Sequence, residues 1–328
     1  MIRSKDIAAM VGVSRQAVSA VLNNSRQNCV SPQKRAEILK IAAEHNYRPH
    51  YAAQALKIGK SNMIGIVMPA WINPYSAELC TAFHQELTKK NYTPFFTIDN
   101  NYNPVPGNIE QLLSLQVAGI ITVAASLLPN NIDIPVVSYF YDDPRFDSVG
   151  FDGEYNISLV LKYLKDLGHT KIGYFGLLSS NLTQFMMLEA KRLNLEIHER
   201  WILGKKYGLD GSLFDILLEQ NRNQDLPTAL IVHNDALALK IMRRIHDCGF
   251  KIPEDFSIIG HDDVSYCANT IPALTTLSCG SANEIAASMV DLLLARIKNP
   301  TIPRQKIDIK AKVIMRESVI NLNKKENK

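Results

Sequence analysis

The stretch Ser4–Asn23, SKDIAAMVGVSRQAVSAVLN, decides how the first part of this chain folds. Ile7, Ala8 and Val11 fall on one face of a short helix, and Val18, Val21 and Leu22 do the same for a second. Between them stand Gly12, Val13 and Ser14. Glycine permits a sharp turn, Val13 can fill the angle between the helices, and Ser14 is a good N-cap for the second. A third helix is predicted with Ser31 as N-cap, Pro32 at its first position, and Ile38, Ile41 and Ala42 facing inward. Three such helices bury one shared apolar cluster. Arg15, Gln16, Ser19, Ala20 and Asn23 form the outward stripe of the second helix. Arg can pair with guanine O6/N7 and Gln with adenine N6/N7, each giving about 1–3 kcal/mol of base discrimination. Ser14, Ser19 and Asn23 suit phosphate oxygens, which set register without reading sequence. Turn chemistry and stripe together favour a DNA-reading helix-turn-helix, with a three-helix protein-interaction module as the alternative.

The charge distribution is consistent with this reading without deciding it. Residues 1–60 hold ten Lys/Arg against three acids, a net +7, which leaves −3 for the rest of a chain whose total is +4. A basic head on a slightly acidic body fits a polyanion partner and fits a solvated basic surface equally well. Tyr47-Arg48-Pro49 ends the third helix, because the residue before proline avoids helical geometry. The segment HYAAQAL (50–56) then reads as two helical turns stopped by Gly59, well short of the roughly 12–15 residues an isolated helix needs in water. Leu56 would be exposed on it, either as a wedge for a minor-groove base step or packed on the domain that follows.

From residue 62 the pattern becomes strands alternating with amphipathic helices. Strand-like runs are Met63–Pro69, Thr93–Asp99, Gly119–Ala124, Val136–Tyr139, Lys171–Gly176, Ala229–His233 and Ser257–Gly260; helices include Ala77–Asn91, Tyr155–Leu167 and Asp235–Cys248. This is the signature of α/β architecture with parallel sheets, and the length suits two lobes around a ligand cleft. Ligands in such sheets sit beyond the carboxyl ends of strands. That singles out Pro69–Tyr75, Phe151-Asp152, Leu177–Gln184, His233-Asn234-Asp235 and His261-Asp262-Asp263. The expected division is a head at 1–47, a hinge helix and linker at 48–61, and a sensing domain at 62–328. Within the last, lobe 1 takes about 62–168 and 280–300, and lobe 2 about 169–279 and 301–320.

Taken in order, these segments resemble the LacI/GalR family of bacterial repressors over essentially the whole length. The matching phrases are DIAAMVGVSRQAVSAVLN, YRP, AAQALKIGKS, MIGIVMP, INPY, VGFD, LGHTKIGYFG, PTALIVHNDALAL, IPEDFSIIGHDD and IMRES. The resemblance implies a helix-turn-helix head, a hinge helix and a two-lobed periplasmic-binding-protein-like core, acting as a homodimer on a near-palindromic operator. It places Arg15, Gln16 and Ala20 at base-reading positions and Leu56 at the minor-groove lever, with Ser4, Tyr47 and Ala53 completing the DNA-facing set. It also implies an effector cleft in which Asn73, Tyr75, Asp152, Thr183, Asn234 and Asp262 are the candidate contacts, and a carbohydrate or modified carbohydrate as ligand.

Several residues depart from the family pattern. Ala20 replaces the usual arginine, and can touch a thymine methyl without donating a hydrogen bond. His50 stands for asparagine. Arg3 stands where a threonine caps the first helix, leaving Ser4 as the substitute cap. The sugar-gripping Arg-x-x-Gly motif is missing from SSNLTQFMMLEA (179–190), where Thr183 falls near the expected place; a hydroxyl cannot reproduce a guanidinium fork.

Enzymatic readings find little support. The chain has no HxxxH, HExxH, GxSxG, Walker loop or GxGxxG, and neither a metal nor a cofactor is expected. The five scattered cysteines contain no CxxC pair, and Cys267 and Cys279 read as structural. No run approaches the roughly 18 apolar residues of a membrane span, and the first residues lack a signal-like apolar core, so the cytoplasm is the expected compartment. The alternatives are a solute-binding protein without transcriptional role and a sugar-processing enzyme carrying a DNA-binding head.

Overall fold

The computed structural model describes residues 2–22, 30–47, 61–69, 74–99, 107–122, 128–140, 143–177, 179–204, 208–222 and 224–324. Asn23, Ala53, Leu56 and Asn73 lie outside them.

The head consists of α1 (Ser4–Val11), α2 (Arg15–Leu22) and α3 (Pro32–Glu44). They enclose Ile7, Ala8, Val11, Val18, Val21, Ile38 and Ala42, with Val13, Leu22, Ile41 and Tyr47 partly buried around this cluster. Gly12 takes φ 66°, a left-handed conformation that side chains disfavour, and its N–H closes onto the carbonyls of Ala8 and Ala9. Ser14 Oγ accepts the Ala17 N–H at 3.1 Å and Ser31 Oγ accepts the Lys34 N–H at 3.3 Å, so both predicted caps form. The cap of α1 differs from expectation. Ser4 is already helical, Arg3 is the N-cap, and the Asp6 carboxylate accepts the Arg3 N–H at 2.8 Å. A carboxylate suits the positive end of a helix, and Ser4 is left facing α2 instead.

The second unit contains two six-stranded sheets. The first is built from β1 (Met63–Pro69), β2 (Thr93–Asp99), β3 (Gly119–Thr122), β4 (Val136–Tyr139) and β5 (Asp147–Gly150), with helices α4 (Pro74–Lys89) and α5 (Asn108–Ser114) between strands. The chain continues through α6 (Gly153–Asp166), β6 (Ile172–Phe175), α7 (Ser180–Arg192), β7 (Ile202–Leu203), α8 (Ser212–Gln220), β8 (Ala229–Val232), α9 (Asp235–Asp247), β9 (Ser257–His261) and β10 (Thr275–Ser278). It closes with α10 (Ala282–Lys298), β11 (Lys306–Asp308) and β12 (Lys312–Ile314). The strand orders are β11-β5-β4-β3-β1-β2 and β12-β10-β9-β8-β6-β7. All pairings are parallel except β12 against β10. Each lobe therefore repeats one doubly wound order, with switch points between β1 and β3 and between β6 and β8, where ligands bind in such sheets. Continuous burial along β3, β4 and β6 reflects helices covering both faces.

The chain passes between lobes three times, at 151–152, 279–281 and 309–311. These crossings redraw the expected lobe boundaries. Helix α6 was expected in the first lobe, yet its Val160, Leu161 and Leu164 pack with Ile172, Tyr174, Met186 and Ala190 in the core of the second. Residues 306–308, expected in the second lobe, pair with β5 in the first. An amphipathic pattern shows that a helix has an apolar face but not which sheet receives it.

Each lobe holds a buried aspartate. Asp147, 2% exposed, accepts from Arg296 Nε at 2.9 Å, Arg296 Nη2 at 2.8 Å and the Gln305 N–H at 2.7 Å, tying β5 to α10 and the approach to β11. Asp235, fully buried at the start of α9, accepts from Thr276 Oγ1 at 2.6 Å and the Val264 N–H at 3.0 Å. Gly260 lies against this carboxylate so closely that a Cβ there would collide with Asp235 Oδ1. Burial raises the Asp235 carboxyl to about 6, against the opposing hydrogen bond from Thr276 and with help from the charge of Asp262.

Two outcomes follow for stability. Arg296→Ala leaves Asp147 buried without its guanidinium and should lower unfolding free energy by about 3–5 kcal/mol, read as a drop in the urea midpoint. Adding Asp147→Asn to that variant should recover part of the loss. For Asp235 the folded value lies above the unfolded one, so its contribution is present below the usual carboxylate range and is lost as pH rises through about 6. Ionisation there opposes folding by about 3 kcal/mol. The melting temperature of Asp235→Asn should gain on the parent between pH 5 and about pH 7; an unchanging difference across that interval would refute the assignment.

Candidate functional site

The exposed side of α2 begins at its N-cap. Ser14, Arg15 and Gln16 are exposed, whereas Ser19 and Ala20, one turn on, are half-buried. Arg15 Nε donates to Ser4 Oγ at 3.1 Å, so the predicted base-reading guanidinium is held beside the predicted contact on α1. Lys34 Nζ, from α3, donates to the Gly12 carbonyl at 3.1 Å and brings a further positive charge to the turn. Sequence reading assigned Lys34 no role, since its spacing on α3 does not disclose its reach to Gly12. Tyr47 is half-buried against the head cluster and keeps its N–H bonded to the Ala42 carbonyl at 2.8 Å.

In the second unit the candidate ligand contacts collect where strands end and helices begin. Asp152 Oδ1 accepts the N–H groups of Glu154 and Tyr155 at 2.9 and 3.0 Å, capping α6. Asn234 Oδ1 accepts the Leu237 N–H at 2.8 Å, capping α9. Thr183 Oγ1 donates to the Ser179 carbonyl at 3.0 Å in the first turn of α7. A Cβ on Gly153 would meet the Leu182 side chain at 3.2 Å, so the first turns of α6 and α7 adjoin and bring Asp152 and Thr183 into one neighbourhood. Three helix N-termini, each the positive end of its helix dipole, thus gather at the carboxyl side of the second sheet.

Tyr75 supplies the facing lobe. It is buried, and its hydroxyl pairs with that of Tyr139 at 2.6 Å. Burial pushes the Tyr75 hydroxyl up strongly; the Tyr139 bond opposes this, and the charge of Asp262 adds to it. Tyr75 and Asp262, from opposite lobes, are linked by a run of contacts through Tyr139, Phe140, Phe151 and His261. A second tie between lobes is the Ser265 N–H, which donates to Glu78 Oε1 at 3.1 Å.

Asp262 and Asp263 have φ of 112° and 55°, uncommon for residues with side chains and a form of strain found at functional positions. Arg316 holds this bend: its Nη2 donates to Asp263 Oδ1 at 2.6 Å and its Nη1 to the Leu274 carbonyl at 2.8 Å. Arg316, the arginine of IMRES (314–318), thus serves to brace the strained turn after β9. His261 Nδ1 lies 3.0 Å from Asp262 Oδ1 and its Nε2 lies 3.6 Å from Cys279 Sγ. Burial opposes charge on His261, but the bonds to Asp262 and Cys279 outweigh it and raise the imidazole to about 10. His233, by contrast, is lowered by burial. The His261–Cys279 contact was missed in the sequence, where nothing links the end of β9 with the residue after β10. Among the described residues no group of three His, Cys, Asp or Glu is placed to hold a metal ion. Among them, too, no helix is long and apolar enough to cross a membrane.

Comparison with known proteins agrees with this organisation. Residues 4–50 match bacterial regulatory proteins of the lacI family, and residues 161–319 match the periplasmic binding protein-like domain. The ribose operon repressor of Haemophilus influenzae is 28% identical over 337 residues, covering 98% of this chain and 100% of its own. The HTH-type transcriptional repressor PurR of Pasteurella multocida is 29% identical, covering 96% and 98%. In structure, the lac repressor dimer bound to operator and the anti-inducer ONPF superposes with a TM-score of 0.80 at 22% identity over 97% of this chain and 99% of that one. A LacI family regulator from Enterococcus faecium with bound ribose gives 0.68 at 20% identity over 79% and 99%. These structural likenesses concern the fold. With relatives matched from end to end, the chain carries the helix-turn-helix of the LacI family of bacterial regulatory proteins at 4–50, followed by a periplasmic binding protein-like domain at 161–319.

Proposed function

We propose that this protein is a cytoplasmic, ligand-responsive transcriptional repressor that binds a near-palindromic operator as a homodimer and performs no catalysis. The observation that carries the reading is the exposed Arg15–Gln16 pair opening α2, directly after a glycine turn and a serine cap. Arg15 and Gln16 read base edges, Ala20 contacts a thymine methyl, and Ser4, Ser14, Ser19, Asn23 and Tyr47 position the helix on phosphates. Ala53 and Leu56 belong to the hinge, where Leu56 enters the minor groove and bends the duplex.

The effector is a carbohydrate or a derivative of one, held between lobes by Asn73, Tyr75, Asp152, Thr183, Asn234 and Asp262. Similar proteins bear on this: one named relative represses a ribose operon, and one solved neighbour holds ribose. Threonine in place of an arginine argues for a ligand whose hydroxyls are met by single hydrogen bonds and helix N-termini rather than by a guanidinium fork. Ligand binding changes the angle between lobes, and a coupling of about 1–3 kcal/mol would alter operator affinity roughly 5–150-fold.

The second lobe carries an open groove of about 560 Å³, lined by Leu239, Met242, Phe250, Ile252, Ile271 and Pro272 among others, which we assign to the dimer surface. Ile271 is 99% exposed, an unusual position for a large aliphatic side chain unless another molecule covers it.

Selection from random-sequence DNA followed by gel shift tests the whole proposal; failure to enrich a palindrome defeats it. Arg15→Ala should relax specificity at one position of each half-site, at about 1–3 kcal/mol, whereas a uniform loss over all sequences would make Arg15 a phosphate contact. Leu56→Ala should reduce DNA bending and weaken operator binding while the free dimer persists. Ile271→Asp should shift sedimentation toward the monomer and weaken operator binding in parallel.

A further inference from the structure

Cys279 lies where the three crossings meet. It follows β10 on the second crossing, packs in one apolar cluster with Ala311 of the third, and has Phe151 of the first against that cluster. It is 5% exposed. Its Sγ is 3.6 Å from His261 Nε2, and His261 Nδ1 is 3.0 Å from Asp262 Oδ1. With the carboxylate accepting at Nδ1, Nε2 is the nitrogen that faces the thiol and can exchange a proton with it. The order of groups is thiol, imidazole, carboxylate, the arrangement that activates a cysteine nucleophile. A packing cysteine needs none of it.

A fourth group has no structural use of its own. Asn156 is 6% exposed; its Nδ2 donates to Cys279 Sγ at 3.4 Å, and its Oδ1 is a buried acceptor with no hydrogen-bond partner among the described residues. An unfilled carbonyl acceptor in such a place is costly unless something supplies a donor. Beside Sγ, the fitting donor is a hydroxyl on an atom bonded to that sulfur.

We infer that Cys279 is a covalent sensing site for small carbonyl electrophiles, aldehydes or 2-oxoaldehydes, captured as reversible hemithioacetals within the cleft. With the thiol's proton held on His261 Nε2, Sγ forms a bond to the carbonyl carbon. The C=O π pair moves onto oxygen, and this oxygen takes the proton back from His261. The resulting hydroxyl donates to Asn156 Oδ1. Nothing leaves and no oxidant is needed, so the reverse steps release the carbonyl unchanged. Asp262 is a positioning residue that fixes the imidazole tautomer. The elevated proton affinity of His261 agrees with the geometry. Adding atoms at a buried point shared by the crossings pushes on the segments that set the lobe angle, which turns capture into a conformational signal. This goes beyond the operator and sugar readings, and its test involves neither DNA nor sugar.

The full chain is treated with iodoacetamide and each cysteine is followed by peptide mass mapping, with and without 2-oxopropanal. Cys279 should label faster than buried Cys267 and half-buried Cys80. Removing the base with His261→Gln should slow Cys279 roughly a hundredfold. 2-Oxopropanal should protect Cys279, and gel filtration should restore labelling. Asn156→Ala, which keeps the thiol–imidazole pair, should leave the labelling rate high but weaken carbonyl protection. Labelling of Cys279 at the pace of Cys267, or at a rate indifferent to His261→Gln, would overturn the site. Protection by hydrogen peroxide but not by 2-oxopropanal would overturn the carbonyl assignment. Near-ultraviolet circular dichroism shows whether His261→Gln keeps its tertiary packing, and Asp262→Asn, which should also slow labelling, replaces it where it does not.

Discussion

The constraint on which the sensing unit depends is that its chain crosses between lobes three times within a few residues of one point. Because 151–152, 279–281 and 309–311 run side by side, the lobes share a covalent waist while their sheets remain separate. Everything functional in this unit is placed by that arrangement. The parallel strands direct their carboxyl ends toward the waist, the helix starts at Asp152 and Asn234 cluster there, and Tyr75 arrives from the opposite lobe. Two buried aspartates then fix the strands leading to it. Asp147 anchors β5 just before the first crossing, and Asp235 anchors the bend after β9.

Much of this was legible in the residues. Runs such as Met63–Pro69, Thr93–Asp99 and Val136–Tyr139 are strands over the ranges their apolar, β-branched composition indicated. Gly12, Ser14 and Ser31 acted as their chemistry requires. The strands Asp147–Gly150 and Thr275–Ser278 were not legible, because Asp, Ser and Thr at those places look like loop until their burial is known. The lobe membership of α6 was hidden for a related reason: a helix face specifies that it will be covered, not by what.

The site was legible unevenly. Residues carried by local rules, such as a stripe at helical spacing or a polar group after a strand, could be named from the sequence. Those that depend on long-range placement could not. Arg316 reaches Asp263 across 53 positions, and Cys279 finds His261 through the adjacency of β9 and β10. Cys279 read as structural in the sequence because a lone cysteine carries no spacing signal; its imidazole neighbour exists only once the strands pair. Ser4 shows the same effect on a smaller scale, since its hydroxyl faces Arg15 rather than capping its own helix.

The winding of the first lobe has a bearing on synthesis. Its first five strands are complete by residue 150, yet the helix that covers β3 to β5 spans 282–298 and one edge strand spans 306–308. On the ribosome that sheet therefore waits, one face bare, while residues 151–281, which hold all of the second lobe's strands but β12, are translated. A nascent chain that must keep an apolar sheet face uncovered for more than a hundred residues is a natural client for a holdase, and a truncated product ending before Arg296 would lack the partner of its buried Asp147.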